Sequence, residues 1–259
     1  MTFWGHLEDL RKSIIRMVIT MITVTAMLFF FKNFLFDNFI LAPAHNSFYL
    51  YKILGLDISL SLTNIDISAQ FIIHMKATII CAFFLTFPYL IYEIWIFIAP
   101  ALYENEKKVI RGAFMFAGGL FYLGLAIGYF IIFPLMINFF SGYHVSADIP
   151  NNFSLSSYIS LFTSTVLTFG IVFQFPTVII ILSHLDIVSK ELLRTYRRHA
   201  VCIVVILAAL ITPSGDVFSL LICSIPLYLL YEFSIVFCRS GADLCECGQD
   251  GNYKKPNRL

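Results

Sequence analysis

The residues best suited to chemistry are carboxylates in two short polar stretches. HLEDLRKSI, from His6 to Ile14, places Glu8 and Asp9 ahead of Arg11 and Lys12. FIAPALYENEKK, from Phe97 to Lys108, breaks off a greasy run at Pro100 and then sets Glu104 and Glu106 against Lys107 and Lys108. Salt bridges to the neighbouring cations would account for the residue types, although exposed pairs of this kind contribute at most about 1 kcal/mol. A carboxylate cluster can also receive a cation. A guanidinium fits best, because its rigid fork of donors binds a carboxylate bidentately. Two separated acidic spots on one surface would suit a ligand carrying two arginines.

The elements that carry these stretches belong to lipid. Of 259 residues, 59% are apolar and only 13% are charged, and 28 are Phe. A soluble domain has about a quarter of its residues charged, and one soluble core could not bury this much hydrocarbon. The net charge of +1 gives no basis for binding nucleic acid. The opening MTFWGHLEDLRKS is amphipathic and is not followed by a small-residue cleavage site, so the first apolar run is expected to stay in the protein.

Crossing a hydrocarbon layer of roughly 30 Å takes about 20 apolar residues. Six runs qualify as spans: Ile14–Phe36, Phe71–Ile98, Ala113–Ile137, Tyr158–His184, Ala200–Ile211 and Val217–Phe237. The expected fold is therefore all-α and polytopic, with one membrane domain over residues 1–237 and a disordered cytoplasmic tail over 238–259. Fourteen of the 17 basic residues fall on the side of the N-terminus, the second and fourth connections and the tail. The positive-inside rule then puts both termini in the cytoplasm. The fifth run is short, about 18 Å of helix, and the last two helices, joined by the tight turn TPSGD, are expected to be the short ones.

Polar residues inside such runs are costly and are functional candidates by default. Gln174, in VFQFP of the fourth run, requires either a structural hydrogen bond or a polar ligand. His74 and Lys76 lie near the outer end of the second run, where lysine can snorkel. Glu93 and Glu232 lie near inner ends, where interfacial anchoring explains them. Asp216 opens the last helix and would cap its free N–H groups. Pro88, Pro134, Pro176 and Pro226 each remove a helical donor, and Gly124 with Gly128 forms a GxxxG pair suited to close helix packing. Cys245-Glu-Cys247 looks like a metal-ligand fragment but lacks a second His or Cys pair, so no metal and no cofactor are expected. Phosphate-loop, HExxH and GxSxG motifs are absent, which points to a receptor or scaffold rather than an enzyme. A small-solute transporter or channel, with Gln174, Asp216 and Lys76 lining a path, is the alternative.

Taken together, HLEDLRKSI, FIAPALYENEKK, VFQFPTVI, ITPSGDVFS and IPLYLLYEFSIVF resemble the TatC family, the six-span receptor component of the twin-arginine protein translocase. The resemblance runs from about Phe3 to Phe237. It implies that the loop glutamate contacting the arginine pair of a signal peptide falls on Glu106, with Phe97 and Pro100 shaping the same patch. It places the N-terminal acidic position on Asp9, beside Glu8, with basic positions at Arg11 and Lys12. Gln174, Asp216 and Glu232 take the fourth-span, outer-turn and sixth-span polar positions. It also implies an inner-membrane location, single-span partners resembling TatA and TatB, an oligomeric assembly in the bilayer, and export of folded cargo driven by the proton motive force. This sequence departs from the family in three ways: Asp9 stands where Glu is usual, Gln174 replaces a frequent Glu, and the outer turn is TPSGD rather than TPPD.

Overall fold

The computed structural model describes residues 3–45, 48, 51, 60–101, 104–144, 146, 152–184, 188, 190–211 and 217–237. Their helices are α1 (Phe3–Phe30), α2 (Ala69–Ile98), α3 (Glu104–Ile127), α4 (Phe133–Gly142), α5 (Leu155–Val172), α6 (Phe175–His184), α7 (Lys190–Thr195), α8 (Arg197–Ile211) and α9 (Val217–Phe237). Five helical segments are long and apolar enough to cross a membrane: Trp4–Phe30, Ala69–Ile98, Ile110–Gly142, Leu155–Ser183 and Val217–Val236. The architecture is thus all-α and polytopic. The fifth expected span, α8, has 15 residues, about 22 Å of helix, and falls short of the hydrocarbon thickness. α9, with 21 residues, is also shorter than the four earlier spans, but at about 31 Å it still reaches across.

Boundaries shift where polar residues can join a helix. α1 begins at Phe3 rather than Ile14, so HLEDLRKS forms its first turns. Glu8 and Lys12 pair at 2.9 Å with i,i+4 spacing, which favours helix there. Further along, Thr20, Thr23 and Thr25 donate their hydroxyls to the carbonyls of Arg16, Ile19 and Met21. That satisfies each hydroxyl within its own helix, as lipid demands.

Pro88, Pro134 and Pro176 are accommodated by different devices. Pro88 cannot donate to the Phe84 carbonyl, and the Tyr122 hydroxyl does so instead from α3 at 3.3 Å. Ahead of Pro134 the helix widens into a π-turn, Gly128–Ile132, which absorbs the missing bond. At Pro176 the fourth span breaks: α5 ends at Val172 and α6 starts at Phe175. Pro226 remains inside α9.

The core lies around α3, α4 and α5. Along Ile110–Gly142 most side chains of the central stretch are buried against the rest of the chain, whereas along α1 Ser13 is the one described residue that is fully buried, which leaves α1 peripheral. The GxxxG pair packs α3 on α5. A methyl group at Gly124 would lie 2.6 Å from the Phe169 carbonyl oxygen and 2.7 Å from Phe173 Cβ. Gly170 on α5 is equally hemmed in by Phe121 and Leu125.

The connection between the first two apolar runs is partly core. Phe34–Ile40 forms a π-turn and Ala42–Ala44 a 3-10 turn, and Leu35, Ile40, Ala44, Phe48 and Tyr51 pack into the main hydrophobic cluster. Their backbone carbonyls are met by buried phenols. Tyr129 donates to Phe39 O at 2.8 Å, Tyr158 to Ile40 O at 2.9 Å and Tyr51 to Pro43 O at 2.9 Å. Burial pushes the Tyr51 phenol up, which keeps it a donor. Beside this cap, Leu62–Thr63 pairs in parallel with Phe153–Ser154 and ties the first outer connection to the second.

Gly124→Ala should cost about 1–3 kcal/mol of stability through overpacking, read as a lowered melting temperature of the detergent-purified protein. Gly119→Ala, where an added methyl meets nothing within 4 Å, should be neutral or stabilising by up to about 1 kcal/mol.

Candidate functional site

The two polar motifs meet at one end of the bundle. The α2–α3 connection turns there through Ala99–Ala101, with Pro100 exposed. The first turns of α1 lie alongside: the His6 ring stacks on Phe97, centroids 4.3 Å apart and planes 18° from parallel. Asp9 and Arg11 are exposed on α1. Glu8 is engaged by Lys12 at the surface, both side chains more than half exposed. Glu104 and Glu106 fall in the first turn of α3, where acidic residues complement the helix dipole. Their side chains lie outside the described residues.

One turn deeper is an interaction that the sequence reading missed. Glu93, assigned to interfacial anchoring, has a side chain only 4% exposed, and it accepts a bidentate pair from Arg16 of α1. Arg16 Nε donates to Oε1 at 2.9 Å and Nη2 to Oε2 at 2.8 Å. The Tyr89 hydroxyl donates to Oε1 at 2.7 Å, and Arg16 Nη2 also donates to Ser13 Oγ at 3.0 Å. The carboxylate is therefore served by three donors, and the guanidinium is half exposed. At the opposite end of the same helix pair, His74 stacks on Phe29 at 4.2 Å. Aromatic stacks near each end and an ion pair between them fix a helix that buries almost nothing else.

The other polar candidates are apart from this end. Gln174 sits in the α5–α6 break, half-buried, and its Nε2 donates to the Ala117 carbonyl of α3 at 3.1 Å. An ionised Glu there could not make that bond, since a carboxylate only accepts. Glu232 accepts from Arg197 Nη2 at 2.8 Å and from the Tyr228 hydroxyl at 3.0 Å. It joins α8 to α9 instead of merely reaching the interface. Lys76 donates to Ser160 Oγ at 3.3 Å. Asp216, the TPSGD turn, and Cys245 and Cys247 of the tail lie outside the described residues.

Comparison with known proteins gives one family. The profile described as Sec-independent protein translocase protein (TatC) matches residues 5–226. A Sec-independent protein translocase protein TatC from Blattabacterium sp. subsp. Periplaneta americana is 41% identical over 91% of this chain and 94% of its own length. The protein of that name from Escherichia coli K12 is 32% identical over 90% of this chain and 86% of its own. Among solved structures, the crystal structure of the twin arginine translocase receptor TatC in DDM superposes with a TM-score of 0.76 at 28% identity, over 90% of this chain and 99% of that one.

The geometry makes the Arg16–Glu93 pair testable apart from any ligand. Arg16→Ala leaves a buried carboxylate short of its cation and should cost about 2–3 kcal/mol, below the range for fully buried pairs because Arg16 is half exposed. Replacing both residues by Met should cost less than either single change. Thermal unfolding of the four proteins in one detergent checks the order.

Proposed function

The chain belongs to the TatC family, as a membrane component of a Sec-independent protein translocase and a transport protein rather than a classical enzyme. From that premise we propose that it is the translocase's receptor, binding the twin-arginine signal peptide of folded cargo on its cytoplasmic face. The observation that carries the reading is the shared end of the bundle: the His6–Phe97 stack brings the acidic turn of α1 beside the connection that leads to Glu106. One signal arginine pairs with Glu106, and Asp9, exposed and adjacent, engages the second. Glu8 and Arg11 tune the local charge, and Phe97 and Pro100 shape the patch. Asp9 reaches one methylene less than the usual Glu and keeps the charge. Partial desolvation makes such pairing selective, because a lysine ammonium lacks the fork that a carboxylate accepts bidentately.

Export then draws on the proton motive force, in keeping with the absence of a phosphate-binding loop in the sequence. The protein sits in a prokaryotic inner membrane with both termini cytoplasmic, following the distribution of its basic residues. Single-span partners resembling TatA and TatB complete the assembly. At 15 residues, α8 favours local thinning of the bilayer, which lowers the barrier to cargo. Of the three side chains that a solute path would use, Gln174 is bonded to α3 and Lys76 to α5, and Asp216 lies outside the described residues.

A fluorescent twin-arginine peptide is expected to bind the detergent-solubilised protein. A twin-lysine peptide, or the Glu106→Ala variant, should weaken binding tenfold or more, about 1.4 kcal/mol, with Asp9→Ala intermediate. Equal binding in all cases would mean that apolar attraction alone drives association and would end the receptor reading.

A further inference from the structure

A groove of about 330 Å³ runs between α2 and α3, away from the contacts that hold α1. Pro88, Tyr92 and Trp95 form one wall, and Arg111, Met115 and Gly118 form the other. The two helices run antiparallel away from the Ala99–Ala101 turn, so Arg111 stands level with Trp95, and Gly118 with Pro88. The trough thus has its cation at the end nearest the connection. It continues for about 10 Å, seven residues of helix, toward the middle of the span.

We propose that this groove binds an anionic phospholipid, with its phosphate on the Arg111 guanidinium and one acyl chain lying in the trough as far as Gly118. The wall is open to the bilayer: Tyr92 is 58% and Met115 75% exposed within segments apolar enough to cross it. The floor has room, since a methyl group at Gly118 would meet nothing within 4 Å.

Charge selects the headgroup. The described charged side chains of α3, Lys107, Lys108 and Arg111, are all cations, and among the described residues no carboxylate lies within ion-pair distance of Arg111. A guanidinium binds phosphate bidentately, and Trp and Tyr favour the level of the headgroups.

Size selects a chain over a helix. An α-helix with its side chains is 10–12 Å across, so a 10 Å length fills roughly 900 Å³, nearly three times what the groove holds.

Native mass spectrometry of the detergent-purified protein, titrated with phosphatidylglycerol or phosphatidylcholine, tests the assignment. Wild type should retain phosphatidylglycerol at least five-fold better, and a tenfold excess of inorganic phosphate should not displace it. Arg111→Gln and Gly118→Leu, one removing charge and the other space, should each bring retention down to the phosphatidylcholine level. Lys108→Gln should lower it less than two-fold. Arg111→Gln alters an exposed side chain, and an unchanged melting temperature shows that its effect is not misfolding. Undiminished preference in both Arg111→Gln and Gly118→Leu would overturn the proposal. So would stoichiometric displacement of the lipid by a twin-arginine peptide, which would give the groove to the signal.

Discussion

The Arg16–Glu93 ion pair holds together the end of the bundle where α1 meets the α2–α3 connection. In lipid, apolar faces gain little by meeting each other, because the solvent is as apolar as the helix. Few side chains of α1 are fully buried, so its height against α2 is set largely by a few directional contacts. The bidentate geometry fixes both distance and rotation. Through it, the acidic turn of α1 is held level with the Phe97–Pro100 connection. A polar pair spent inside the bilayer thus positions polar residues that face water.

The same demand for partners explains the rest of the bundle. Pro88, Pro134 and Pro176, and three carbonyls of the first connection, depart from regular backbone pairing, and each is accommodated. Tyr122 covers the carbonyl freed at Pro88, a π-turn absorbs Pro134, and at Pro176 the span breaks, where the Gln174 side chain ties the break to α3. Glycines at 124, 128 and 170 allow α3 and α5 to approach closely enough for these remedies to reach. The result is a stiff centre of α3, α4 and α5, with α1 on one side and the α8–α9 pair on the other.

Much of this was legible in the sequence, and what was not has a common cause. Apolar run lengths gave the helices, and the GxxxG pair gave a close-packing face on the third span, because both are local; that α5 fills that face came only from the structure. The short α8 could be read in the same way. Helix ends were misplaced where polar residues continue a helix into water, as in HLEDLRKS, since hydropathy marks the membrane and not the helix. Partnership between distant residues was invisible. Glu93 and Arg16 are 77 positions apart, and nothing in either local context says which carboxylate meets which guanidinium. Glu232 and Arg197 repeat the lesson. The outer connection was taken for a polar loop because the tyrosines that cap it lie far along the chain.

That capped connection has an electrical consequence. Its buried face is hydrocarbon, the Tyr51, Tyr129 and Tyr158 phenols each donate to one of its carbonyls, and the charged side chain of its π-turn, Asp37, lies exposed. Among the described residues an ion therefore meets no charged side chain in that buried face. The folded first connection thus closes that end of the bundle with hydrocarbon, an insulating plug made from a loop.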